Sequence, residues 1–219
     1  MGGCSIIKTE YLTPTTELQA VNAIIESIGE SPVNSLSTGV EEAQLAHSLL
    51  LRVSREVQSH GWVFNIEPLV VLEPDTEQFI HVPNNALKVI VSNPLIQARG
   101  TRLYDLRRMT FKFDGSVVCE ITKLLPFEWL PESARNFIVV RAGRMFQSRY
   151  VGSATLNGFL EEDEMMARLA LEADELAVAR HNIFNNAEMQ QMLDRSSDTT
   201  VYSTSGGYLS RDLLLRGLD

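Results

Sequence analysis

The densest group of ionisable side chains in this chain is Glu161-Glu162-Asp163-Glu164. Two carboxylates flanking one bond can cleave a glycoside, one as acid and the other as base or nucleophile. Consecutive helix positions point in different directions, so only Glu161 and Glu164 share a face. The run therefore reads first as favourable charge near a helix start, or as a solvated or intersubunit face. His47, His60, His81 and His181 are scattered, and none has a partner at the i, i+4 spacing of a helical metal site. Each is expected to be structural or solvated. There is no G-x-S-x-G elbow, phosphate loop or dinucleotide fingerprint. Cys4 and Cys119 lie far apart and in no C-x-x-C pattern, so reduced thiols are expected. These patterns lead to no catalytic residue, cofactor or metal.

The elements that position the acidic run begin with a helix over residues 15–28. Leu18, Val21, Ile24, Ile25 and Ile28 form one apolar stripe. Thr16 and Gln19 make a capping box, Gly29 supplies a left-handed stop and Pro32 forbids continuation. Before it, Tyr11, Leu12 and Pro14 are expected to pack as a staple. A second helix spans residues 40–60, with Ala43, Ala46, Leu49, Leu50, Val53 and Val57 inward and Gly61 as its stop. Trp62, Phe64 and Ile66 alternate with Val63 and Asn65, which predicts a strand. Further strands are expected over 69–72, 79–82, 87–92, 101–106, 109–113 and 117–122, with a hairpin at Asp114-Gly115.

A third helix opens at Pro131 and runs to Tyr150. Ala134, Phe137, Ile138, Ala142, Met145 and Phe146 form its stripe; Arg135, Arg141, Arg144 and Arg149 take another face. A fourth helix starts near Ala154 or Leu156 and runs to about Asn182, with Met166, Leu169, Ala170, Ala173, Leu176 and Ala177 as its stripe. Another helical turn is expected over 185–193. Residues 195–207 are rich in Ser, Thr and Gly, and a small Leu cluster, Leu209 and Leu213 to Leu215, closes the chain.

The fold class expected is α+β. A four-helix bundle-like domain is formed by both chain ends, residues 1–66 and 127–193. A small antiparallel β domain, 67–126, is inserted, and 194–219 form an extended C-terminal arm. The length, 219 residues, allows one domain or two small ones. Hydrophobic residues at 44% and charged residues at 21% are ordinary for a globular protein. Neither a signal peptide nor a membrane span is expected. The net charge of −9 argues against tight nucleic-acid binding, yet it suits a wall past which DNA must slide.

Three blocks carry a resemblance. Glu17-Leu-Gln-Ala-Val-Asn22 with Ser27-Ile-Gly-Glu30, Pro32-Val33 and Ser35-Leu36 is the first. A helix ending in Gly61-Trp62-Val63-Phe64-Asn65 is the second. The third is Pro131-Glu132-x-x-Arg135, Ile138-Val139, Arg144-x-Phe146, Arg149, Gly152, Gly158, Leu160 to Glu164 and Ala167-Arg168. Together they resemble the tail tubular protein A family, the head-to-tail adaptors of short-tailed bacteriophages. The resemblance implies a virion protein without a catalytic step, made in the bacterial host cytoplasm. It implies a homo-oligomeric ring of twelve copies between the portal protein and the tail tubular nozzle protein. Genomic DNA would pass through that ring without specific binding.

Within this frame the Arg face of the third helix and the acidic start of the fourth have opposite signs. They can pair within one chain, which is slightly favoured, or meet across the ring, where charge complementarity fixes register. Arg135, Arg141, Arg144, Arg149, Glu161, Glu164, Tyr208, Leu209, Leu213 and Leu214 are the candidate contacts to another subunit or the portal. The rival expectation is a tail-associated hydrolase of cell-envelope polysaccharide, using acids among Glu161 to Glu164.

Overall fold

The computed structural model describes residues 13–37, 39–150, 152 and 154–184. The expected staple residues Tyr11 and Leu12, the helical turn over 185–193 and the arm over 194–219 lie outside them. The described elements are α1 (Glu17–Glu26), α2 (Glu41–Gln58), β1 (Ile66–Leu72), β2 (Ala86–Val91), β3 (Ile96–Arg99), β4 (Arg102–Asp105), β5 (Val117–Lys123), α3 (Glu132–Tyr150) and α4 (Ala154–Phe184). The fold is thus mixed α and β, with four helices and small antiparallel sheets. Two compact units divide the chain, one ending at Asp174 and one beginning at Glu175.

Helix α1 starts as its sequence dictates. The Thr16 hydroxyl accepts from the Gln19 amide at 3.3 Å, and the Gln19 side chain accepts from the Thr16 amide at 2.9 Å. After the last turn Gly29 adopts φ +83°, a conformation without penalty only for glycine. Helices α1, α2 and α3 each pack against the other two. Their shared core holds Ile24, Leu50, Val53, Ile138 and Phe146, and α4 adds Ala167 and Leu171. Removing such side chains from water is worth about 1.5–3 kcal/mol each.

The expected strand does not begin at Trp62. Val63–Asn65 form a single 3-10 turn, and β1 begins at Ile66. Asn65 is the cause. Its buried amide accepts from the Trp62 amide at 2.8 Å and donates to the Gln58 and Lys123 carbonyls, each at 2.9 Å. These bonds fix a turn that outweighs the alternating pattern. The Trp62 indole donates to the Val57 carbonyl at 2.8 Å and completes the end of α2.

In the main sheet β5 lies between β1 and β2, antiparallel to both. The second sheet is the β3–β4 hairpin, where Gly100 turns at φ +62°. Ile80, Leu103 and Phe113 form a small core of their own. Residues 79–82 and 109–113 are not strands; in place of ladders they carry the isolated bridges Phe79–Lys112, His81–Arg102 and Asp105–Thr110. Gln78 at φ +71° and Met109 at φ +53° leave the extended region beside them. No hairpin forms at Asp114-Gly115, because Lys112 before it bridges to Phe79 and β5 after it pairs with β1 and β2. Strand β3, with polar Gln97 and Arg99 in its four residues, was not among those expected.

Candidate functional site

Helix α3 ends at Tyr150, and Gly152 at φ +66° turns the chain towards α4. One carboxylate ties these helices together. Glu164 is only 8% exposed. One of its oxygens accepts from Arg141 at 2.7 Å, and the other accepts from the Arg144 Nε. Arg141 also donates to Glu56 of α2. Partial burial pushes the Arg141 guanidinium down, but hydrogen bonds to Glu56 and Glu164 outweigh it, and the group stands above its ordinary value. The pairing of Arg141 and Arg144 with the acidic run is therefore made within one chain.

The other expected site residues separate from this cluster. Glu161, Glu162, Asp163 and Arg149 are exposed. Arg135 does not share the arginine face. It is buried, and its guanidinium donates to the carbonyls of Leu130 and Thr15, each at 2.8 Å, and of Glu128. Tyr208, Leu209, Leu213 and Leu214 lie outside the described residues.

The cluster does not resemble a hydrolytic pair. Both Glu164 oxygens are held by guanidinium groups, so this carboxylate offers neither a free nucleophile nor a ready proton. An open concavity of about 570 Å³ beside it is lined by Arg144, Gly158, Glu161, Glu162 and Arg168. A second concavity, about 630 Å³, lies beside β4. There Asp114 accepts from Arg108 at 2.7 Å, and Asp105 accepts from the amides of Arg107 and Arg108. Asp105 shapes a turn, and Asp114 makes an exposed ion pair.

Three histidines have local partners. His47 meets Glu17 at 2.7 Å and links α2 to α1, His81 meets Asp75 at 2.9 Å, and His60 lies against the Trp62 ring. Buried Cys119 has its thiol pushed up by burial. Among the described residues no group of His, Cys, Asp or Glu converges to hold a metal, and no helix is long and apolar enough to cross a membrane.

The stripe expected on α4 is the main correction. Ala167 and Leu171 face the core with Glu164, whereas Met165 is 62% exposed, Met166 60% and Leu169 48%. Two arginines of α3 draw Glu164 inward and so set the rotation of the helix. The Met-Leu face is left outside. Sequence reasoning had also missed Glu56 as the second partner of Arg141. Its place beside the α2 stripe, adjacent to Val57, was the available signal.

The helical core thus closes its internal charges on one another and leaves Met165, Met166 and Leu169 exposed. The chain belongs to the tail tubular protein family, whose family model matches residues 18–181. It is similar to tail tubular protein A of Klebsiella phage KP34, with 32% identity over 158 residues, covering 71% of this chain and 84% of that protein. It is a structural protein of a bacteriophage tail, and its place is the virion tail.

Proposed function

We propose that this chain is the subunit of an adaptor ring that joins the phage portal to the tail nozzle and lines the channel for DNA. The observation that carries the reading is membership of the tail tubular protein family across residues 18–181. The net charge of −9 supports it, because an acidic wall repels phosphate and lets a duplex slide. Twelve copies form the ring. No catalytic step is involved, and synthesis takes place in the host cytoplasm.

In this reading residues 1–66 and 127–193 form a four-helix bundle domain against the portal and neighbouring copies. Residues 67–126 form an inserted β domain towards the nozzle protein. Residues 194–219 are an arm that hooks a neighbour through Tyr208, Leu209, Leu213 and Leu214. Arg149, exposed near the end of α3, is the arginine of that helix available to another chain, since Arg141 and Arg144 hold Glu164 and Arg135 serves the interior.

The test is the mass of the purified protein, alone and mixed with the portal protein of its phage. A ring of this chain, formed alone or on the portal, is the expected result. A chain that stays monomeric and ignores the portal under both conditions overturns the reading.

A further inference from the structure

We propose that neighbouring copies in the ring meet through an antiparallel helix pair, the outer face of α4 against the outer face of α2. This rests on the ring reading above. On α4, Glu162, Met166 and Leu169 follow one another at i, i+4 and i+7, opposite the inward Glu164, Ala167 and Leu171. Met165 widens this apolar strip, and Glu161 and Asp163 flank its start. On α2, Ser48, Arg52 and Arg55 share an exposed face with Leu45 and Leu51, which are 43% and 47% exposed. Neither Arg52 nor Arg55 makes an ion pair among the described residues.

The charges decide which faces can meet. Two α4 faces meeting at their acidic ends would bring acid against acid, and two α2 faces meeting at their arginine ends would bring Arg52 and Arg55 against their own copies. A contact between like faces closes at two copies and builds no ring. A head-to-tail contact of α4 on α2 joins opposite signs and buries two apolar strips, and repetition of such a contact generates a ring. Glu41 sits on the outer face at the other end of α2 and sets the direction. The Glu161–Asp163 end must lie by Arg52 and Arg55, which makes the pair antiparallel. Placing Glu162 opposite Arg55 then puts Met166 opposite Leu51, because both lie four residues further along.

The test uses the full chain assembled with portal. R52E/R55E and E161K/E162K are each expected to raise the concentration for ring assembly by at least about tenfold. Combining all four substitutions in one chain restores it to within about threefold, because each seam regains opposite signs. These residues are exposed, so circular dichroism of every variant should match the parent. Leu51→Cys with Met166→Cys, in a Cys4→Ser background, should oxidise to a ladder of linked copies. Charge variants that assemble like the parent, or cysteines that link to portal and never to another copy, overturn the seam while leaving the ring standing. A parent chain that never forms a ring overturns the adaptor reading and the seam with it.

Discussion

Replacing Arg135 tests the idea that a buried cation holds the helical core to its flanking chain. Its three acceptors come from separate places: Thr15 just before α1, Glu128 in the turn before α3, and Leu130 at the helix start. A hydrogen bond from a charged donor contributes about 1.5–3 kcal/mol. Thr15 and Glu128 are not fully buried, so water replaces part of what is lost. Arg135→Ala should therefore cost about 3 kcal/mol rather than the sum of three bonds. At roughly 2–4 °C per kcal/mol for a chain of this size, melting falls by about 6–12 °C. Arg135→Lys retains a cation but not the planar fork, so it recovers only one bond and should cost about 2 kcal/mol. Urea unfolding followed by circular dichroism measures both. A loss below about 1 kcal/mol for the alanine variant, or a lysine variant equal to the parent, refutes the geometric account.

Glu164→Gln leaves Arg144 without its carboxylate and Arg141 with Glu56 alone; since both arginines are partly solvated, the expected loss is about 2 kcal/mol, read by the same unfolding assay. Two glycines should respond with opposite sign. Gly61→Ala forces a side chain to φ +85° and should cost about 1 kcal/mol, although its Cβ would meet Thr122 and Ile66 only at ordinary contact. Gly143→Ala, inside α3 with Ser27 no nearer than 3.9 Å, should stabilise by about 0.5–1 kcal/mol. The Asp75 carboxylate accepts from the Phe79 amide, which with His81 and Glu77 holds it below the ordinary Asp value despite some desolvation. A depressed folded value means that its contribution is present above the ordinary Asp range and lost as pH falls through the folded one. The Phe79 and Glu77 amide resonances should move with a midpoint below that of a free Asp, and Asp75→Asn should abolish the movement.

Local chemistry made α1 legible. Its cap, stripe and glycine stop are each set by neighbours within four residues, and all three appear in the fold. The ends of α2 and α3 followed for the same reason. Where a distant partner decides, the sequence was less informative. Asn65 turns the chain because the Lys123 carbonyl from β5 completes its bonds. Glu164 rotates α4 because arginines on another helix reach it. Arg135 was placed outside by its type, yet on a helical wheel it falls between Ala142 and Phe146, both buried. Position could have placed it inside where residue type did not.

Strand β5 comes last in its sheet yet occupies the middle of it. As the polypeptide leaves the ribosome, β1 and β2 cannot close on one another and must wait with open edges for residues 117–123. The apolar sides of α1 and α2 wait as well, since α3 covers both and follows soon after. One late stretch, from β5 through α3, thus completes the main sheet and the helical core together. A chain cut short before it lacks the middle strand of the sheet and the α3 side of the helical core, and its β1 and β2 edges stay open.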